Sequence, residues 1–518
     1  MTRQGGLLIA PAARLATAPA TTVDTARDEP PADRLRGWVV TAVLTAMAAL
    51  TRFSNLGVPT DGGTPVFDEK HYVPQAHQAL TNGGGEDNPG YELVVHPPVA
   101  KQLMAIGEWL FGYNSVGWRV ASATAGVLVV LLVIRIVRRL TRSTLIGAIA
   151  GILILADGMT FVTSRVGMLD IFLVLFIVAA FGCLLVDRDQ VRARIRVVVE
   201  EGRLHDTPFG PRFGVRWWRF GAGVLLGISC GTKWNGVFFI VFYGVMCVGM
   251  DVAARRGAGV QRPWVGTLVR DVGPALYALV FIPLLVYLAT WWAWLSSETG
   301  IDRWAVGQKV GDGGTYSFVP DAFRSLWYYS ARVLNFHEHL VTPPGHPHPY
   351  ESKPWTWPMG LRPMLYAYSS GPTVTGCGAA SCVGAVMLVG TPAMWWLAVP
   401  VLAWSVWRAA FGRDWRYAVM LVGYGAAFLP WFTNLDRQMY YFYAAPMAPF
   451  LIIALALILG EILGHGRLGT ERRTTGLLLV CLYVGLVVAN FVWLYPILTG
   501  SPITAAHWQN ELWLPSWR

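Results

Sequence analysis

Four windows of the chain, 363–407, 474–510, 272–297 and 438–460, contain no Asp, Glu, Lys or Arg. Each holds an apolar run of the ~20 residues that a bilayer-spanning helix needs. Shorter apolar runs lie at about 37–54, 115–137, 143–162, 168–186, 218–232, 235–250 and 416–433. The window 363–407 begins polar and Gly-rich, which puts its helix at about 384–407. Backbone groups in lipid must be satisfied within their own segment, so these runs are expected to be helices. The pattern predicts an all-α polytopic integral membrane protein with about 11 transmembrane helices. The short runs at 218–232 and 235–250 leave ten or twelve open.

Composition agrees with the pattern. Only 14 % of the 518 residues are charged, against about 25 % in a soluble domain, and the mean hydropathy is +0.44. A disordered protein, a nucleic-acid-binding module and an ordinary cytosolic enzyme are excluded. The net charge of +10 matters less than its distribution. With residues 1–36 inside and the segments alternating, the inner segments hold 27 Lys and Arg and the outer ones 12. This positive-inside bias predicts a cytoplasmic N-terminus and an extracytoplasmic C-terminus. The pairs Arg138-Arg139, Arg255-Arg256 and Arg472-Arg473 read as topology anchors.

Residues 1–36 lack hydrophobic periodicity and read as a disordered cytoplasmic tail. Leu7-Leu8-Ile9-Ala10 is too short for a signal-peptide core, so no cleavage is expected. Residues 37–518 form the transmembrane domain. Cys183, Cys230, Cys247 and Cys481 fall in helices and read as inert fillers. Cys377 and Cys382 lie together on the outer side, where a disulfide is compatible with an oxidising compartment.

Two outer loops, 55–114 and 294–383, are too long to be connectors, and long ordered loops usually carry function. Both are rich in Trp, Tyr, His and Pro, which suits a structure lying at the headgroup level. The first carries Asp68-Glu69 just beyond the first span. An acidic pair there suits a helix N-terminus through the macrodipole. A carboxylate at the membrane surface can equally take a proton from an incoming hydroxyl.

The surrounding blocks extend the reading. Phe67-Asp68-Glu69-Lys70-His71-Tyr72, His96-Pro97-Pro98-Val99-Ala100-Lys101 and Gly117-Trp118-Arg119 are followed by Ser164-Arg165-Val166-Gly167-Met168-Leu169-Asp170 and Thr232-Lys233-Trp234-Asn235-Gly236. Ser352-Lys353-Pro354-Trp355-Thr356-Trp357-Pro358 and Arg437-Gln438-Met439-Tyr440-Tyr441-Phe442-Tyr443-Ala444-Ala445-Pro446 complete the set. In order and content these blocks resemble the protein O-mannosyltransferases, over residues 67–446. The resemblance implies a membrane glycosyltransferase of the GT-C type. It implies transfer of mannose from a polyprenyl-phosphate-linked donor to Ser or Thr hydroxyls of exported proteins. The second long loop leaves no room for the β-trefoil domain of the eukaryotic members, so the bacterial type is the better match. The family's acidic pair maps onto Asp68 and Glu69, and its essential Arg onto Arg119.

The chemistry of the residues is consistent with that reaction. A phosphate departs without protonation, so one base suffices, whereas a glycoside hydrolase needs two carboxyl groups. Asp68 is assigned as general base, with Glu69 beside it. Attack opposite the phosphate would invert the anomeric centre. The leaving phosphate needs fixed positive charge, and the Arg fork suits it. Arg119, Arg165, Lys233, Lys353 and Arg437 lie near outer helix ends, where ionisable groups are functional candidates. Each has a plainer reading. Arg165 could pair with Asp170 or Asp157, Lys233 could snorkel, and Arg437 could pair with Asp436. Arg119 could touch phosphate or hold a carboxylate. His96, His337, His339 and Trp355 are candidate acceptor or loop contacts. The His spacing fits no standard zinc pattern, so no metal or other cofactor is expected.

The expected partners are the polyprenyl-phosphate-mannose donor, Ser/Thr-containing exported proteins and membrane lipids. The protein export channel is a conceivable further partner, and nucleic acid is not expected. The expected location is the plasma membrane, multi-pass, with an extracytoplasmic site. Two rivals are a GT-C enzyme with a lipid or glycan acceptor, and a transporter. A transporter would place ionisable groups at the bilayer midplane, whereas here they collect at the outer boundary.

Overall fold

A computed structural model describes residues 33–83, 86, 93–343, 345–371, 374–464 and 469–518. Among them, six helices are long and apolar enough to cross a membrane: Ser115–Thr141, Asp170–Glu200, Gly236–Gly257, Val272–Thr290, Tyr441–Leu463 and Glu471–Thr499. Shorter helices follow the remaining runs, including Arg34–Phe53, Thr144–Leu155, Trp217–Cys230, Ala398–Ala410 and Trp415–Phe428. Most of the expected tail, residues 1–32, lies outside the described residues, but its end is helical from Arg34.

The burial of each span reflects its place in the bundle. Tyr441–Leu463 is apolar on every side and 89 % of its apolar 18-residue stretch is buried, against 28 % for the corresponding stretches of Val272–Thr290 and Glu471–Thr499. A helix apolar all round belongs inside a bundle or in lipid. The helix Trp217–Cys230 packs through a small-residue stripe. A Cβ on Gly223 would lie 1.8 Å from the Ala278 carbonyl oxygen, and one on Gly227 would lie 2.6 Å from Val286 Cβ. Such stripes let helix backbones approach closely. The partner span widens into a π-helical turn at Tyr277–Phe281, just before Pro283. Proline lacks an N–H and crowds the preceding turn, which accounts for the local widening.

Three expectations are corrected. The run placed as a helix at about 384–407 splits into a strand, Cys382–Leu388, and the helices Pro392–Trp395 and Ala398–Ala410. All seven strand residues are buried, so both faces are apolar and alternation is lost. A short apolar run of this kind cannot be told from a buried helix by periodicity. The fold is therefore not all-α. Strands β1 (Met364–Gly371), β2 (Cys382–Leu388) and β3 (Ile503–Thr504) form a small antiparallel sheet in that order. Cys377 and Cys382 are disulfide-bonded across the β1–β2 connection. The third correction falls on the run at 143–162, whose helix breaks at Ala156. Asp157 restarts the next helix by accepting from the Thr160 backbone N–H at 2.9 Å and from Trp395 Nε1 at 2.8 Å.

Helix ends gather at two poles. At one, basic residues meet acids: Arg216 and Arg219 each bond both Asp187 and Asp251. There too Arg255 bonds Asp271 and Arg138 bonds Asp33. Arg138 and Arg255 of the anchoring pairs thus have structural partners as well as a place in the charge pattern. The opposite pole carries the sheet, the helices Glu69–Thr81, Val99–Phe111 and Asp321–His339, and the sequence blocks described above.

Candidate active site

The acidic pair divides into two environments. Glu69 opens the helix Glu69–Thr81 and is fully buried. Its Oε1 accepts from Arg119 Nε at 2.7 Å and from the Gly167 backbone N–H at 2.6 Å. Its Oε2 accepts from Arg119 Nη2 at 2.8 Å and from the Val66 N–H at 3.1 Å. Arg119 also donates to the Leu56 and Pro59 carbonyls at 3.1 and 2.8 Å. This two-point pair ties the Glu69 loop to the helix Ser115–Thr141 and to the Arg165–Asp170 turn. A buried ion pair needs such additional hydrogen bonds to offset its desolvation.

Asp68 sits at the N-cap position of the same helix, yet its side chain makes no capping hydrogen bond. Its dihedrals are helical rather than the extended ones of a capping residue. The preceding Phe67 has φ +50°, a left-handed conformation uncommon for a bulky residue. Its ring is held by stacking on Tyr366, centroids 4.5 Å apart, and edge-on against Phe442 at 6.1 Å. Strained residues persist only where their surroundings over-determine them. Burial raises the Asp68 carboxyl above its usual range; His71 and Lys233 oppose this, and the Asp170 charge reinforces it.

The five candidate cations separate by partner. Arg165 donates from Nη1 to the Arg52 and Ser54 carbonyls at 2.9 and 2.7 Å, and from Nη2 to Asn55 O at 3.1 Å. It caps the first helix and bonds neither Asp170 nor Asp157. Lys233 is buried and paired with Asp170 at 2.8 Å, with its ammonium 5.3 Å from the Phe442 ring centroid. Lys353 donates to the Leu435 and Arg437 carbonyls and pairs with Glu351. Arg437, like Arg165, has no acidic partner among the described residues, and unlike Arg165 its guanidinium bonds only His337. Its Nη2 meets His337 Nδ1 at 3.1 Å, its guanidinium lies 5.9 Å from the Tyr443 ring, and its Nε is buried without a partner.

His96 and His337 complete the cluster, with ring centroids 5.8 Å apart. Burial, then Lys233 and His337, push His96 well below its ordinary pKa. Burial, then Arg437 and Lys233, push His337 down to about 4. Both imidazoles are therefore neutral at pH 7. His339 is exposed, bonds Asn335 O at 2.8 Å and faces an open groove with Leu93, Arg332 and Phe336. Trp355 is 56 % exposed on the 3-10 turn Pro354–Met359. Among the described residues no three His, Cys, Asp or Glu side chains converge as a metal site.

Comparison with known proteins bears on the same pole. A family model described as "Dolichyl-phosphate-mannose-protein mannosyltransferase" matches residues 114–298. Another, the "C-terminal four TMM region of protein-O-mannosyltransferase", matches residues 322–517. The polyprenol-phosphate-mannose–protein mannosyltransferase of Mycobacterium tuberculosis is 62 % identical over 94 % of this chain and 93 % of its own. That of Corynebacterium glutamicum is 45 % identical over 92 % and 93 %. The chain belongs to the protein O-mannosyltransferase family. Its fold is similar to that of a chain of the Saccharomyces cerevisiae protein O-mannosyltransferase Pmt1–Pmt2 complex bound to the sugar donor. That TM-score is 0.70, at 15 % identity over 93 % of each chain.

Within this family fold each sequence block has a visible task. The Ser352–Pro358 block braces the Arg437 loop. The Ser352 N–H donates to Met439 O at 2.9 Å, and buried Trp357 donates to Ser352 Oγ at 2.9 Å. The Thr232–Gly236 turn delivers Lys233, and the Ser164–Asp170 turn delivers Asp170. Sequence reasoning cast Asp170 only as a partner for Arg165, and it passed over Tyr366 and Tyr443 as site residues. Asp170 stood in a quoted block and was open to notice. Tyr366 lies in a stretch that reads as the polar start of a span, and no local signal marks it.

Proposed function

We propose that this protein transfers mannose from polyprenyl-phosphate-mannose to Ser or Thr hydroxyls of exported proteins, with inversion and with Asp68 as general base. Arg437 carries the reading. Every other candidate cation named above is committed to a carboxylate or to several backbone carbonyls; the Arg437 guanidinium bonds only His337 among the described residues and is left to receive the donor phosphate. The acceptor oxygen attacks the anomeric carbon, its proton passes to Asp68, and the bond from carbon to phosphate oxygen breaks. Polyprenyl phosphate leaves with its charge held by Arg437. Such preorganised charge is usually the largest catalytic contribution.

Glu69 and Arg119 act as positioning residues in this reading, because their hydrogen-bonding capacity is spent on each other and on backbone. Fixed Arg and Lys charge serves in place of a divalent ion. Eleven crossings, with the site pole extracytoplasmic and the membrane the plasma membrane, fit the Lys and Arg asymmetry. Exported proteins would then meet the site directly, with the export channel as a neighbour.

The test is transfer from purified polyprenyl-phosphate-mannose to a Thr-rich peptide by the protein in lipid nanodiscs, read by mass spectrometry. A mannosylated peptide is expected. Donor consumption with mannose appearing on a lipid or glycan instead would replace this reading with the related glycosyltransferase one.

A further inference from the structure

Two buried polar atoms beside Asp68 have no hydrogen-bond partner among the described residues: Asp170 Oδ2 and Tyr366 Oη. Their residues are 2 % and 4 % exposed. Buried polar groups in native proteins are nearly always paired, so each exception calls for an explanation. These two come from unrelated elements. Asp170 begins the helix Asp170–Glu200, and Tyr366 lies on β1.

Both are fixed from their other sides. Asp170 Oδ1 accepts from Lys233 at 2.8 Å. The Tyr366 ring stacks on Phe67, the residue that sets the Asp68 turn. One aromatic cluster joins them: the Phe67 ring under Tyr366 meets Phe442 edge-on at 6.1 Å, and the Lys233 ammonium bonded to Asp170 lies 5.3 Å from the same Phe442 ring.

We propose that Asp170 Oδ2 and Tyr366 Oη form a hydroxyl-binding subsite for the sugar ring of the donor; this rests on the mannosyl-transfer reading above. A sugar hydroxyl both donates and accepts. An ionised carboxylate only accepts, and a phenol does either, so the two atoms suit neighbouring hydroxyls. Position favours the sugar over the acceptor. Lys233, bonded to Asp170, acts electrostatically on His337, which bonds Arg437. Asp170 in turn acts on Asp68. The Tyr443 ring faces both the Lys233 ammonium, at 5.6 Å, and the Arg437 guanidinium, at 5.9 Å, so the pair belongs to the cluster that holds the phosphate cation and the base, where the ring bearing the reacting carbon must sit. An acceptor Ser or Thr brings a single hydroxyl, which Asp68 takes.

The experiment measures equilibrium binding of polyprenyl phosphate and of polyprenyl-phosphate-mannose to the full chain in nanodiscs, for wild type, Tyr366→Phe and Asp170→Asn. Tyr366→Phe removes an atom with no partner among the described residues and keeps the stacked ring, so the fold should persist. It should weaken the mannosyl lipid roughly 3- to 10-fold, and Asp170→Asn roughly 10- to 100-fold, the span between neutral and charged hydrogen bonds. Polyprenyl phosphate should bind all three alike. Among monodeoxy-mannosyl donors, one should erase the Tyr366→Phe penalty. Equal weakening of both lipids, or no weakening by Tyr366→Phe, would overturn the subsite. Should Asp170→Asn unfold because Lys233 loses its partner, Tyr366→Phe alone decides. Peptide transfer by wild type, measured in parallel, tests the function reading separately from these binding ratios.

Discussion

Glu69 and Arg119 meet in a two-point fork, Nε to Oε1 at 2.7 Å and Nη2 to Oε2 at 2.8 Å, with both side chains fully buried. Charge-assisted pairs of this geometry are among the strongest polar contacts. Removing one member leaves the other charge buried and unpaired, a loss of about 3–5 kcal/mol. Glu69→Gln and Arg119→Ala should therefore lower the unfolding temperature sharply, with activity falling in proportion to folded protein. Unchanged thermal unfolding of Glu69→Gln would remove the fork from the account of the fold.

Asp68, one residue away, should behave in the opposite manner. Asp68→Asn should cost on the order of 10²–10⁴ in turnover at saturating donor, while donor binding stays. Burial raises the folded-state pKa of Asp68 above its unfolded value. Between the two values the folded state binds more protons, so ionisation makes the fold less stable as pH rises through that window. Asp68→Asn should hence be at least as stable as wild type at pH 7. The acid limb of activity should lie above the ~3.9 of a free aspartate. Near-normal turnover of the variant would show that another group takes the proton.

Arg437→Ala should weaken polyprenyl phosphate as well as the mannosyl donor, because its guanidinium has no competing carboxylate. Arg437→Lys should restore part of the affinity, since it keeps the charge and loses the fork. Arg165→Ala should instead lower stability, because Arg165 caps the first helix. Equal lipid affinities of the Arg437→Ala variant and wild type would move the phosphate elsewhere.

Chelation bears on the same charges. If Arg437 and Lys233 suffice, EDTA should leave peptide mannosylation nearly intact. Loss of activity restored by Mg²⁺ or Mn²⁺ would make the Asp68 region a ligand set of oxygen donors.

Topology is testable at two open glycines whose surroundings leave room for a side chain. In a Cys481→Ser background, Gly313→Cys should react with an impermeant thiol reagent in intact cells, and Gly257→Cys should not. Labelling of Gly257→Cys with Gly313→Cys silent would invert the arrangement.

The sequence by itself determined the membrane class, the apolar runs that become helices, and the blocks that carry Asp68 and Arg437. These follow from local composition, since ~20 apolar residues in a row can satisfy their backbone in lipid only as a helix. Tertiary structure decided what depends on distant partners. Residues 384–388 read as the start of a helical span, and become part of a strand because β1 and β3 lie on either side. Arg119, Arg165, Lys233 and Arg437 are alike as outer cations in the sequence. They differ in the fold because Glu69, the first-helix carbonyls and Asp170 occupy three of them and leave the fourth open. Tyr366 joins the site only because the sheet carries it against Phe67. Hydrophobic periodicity is a property of neighbours along the chain, whereas charge neutralisation and buried hydrogen bonding are settled between residues that folding alone brings together.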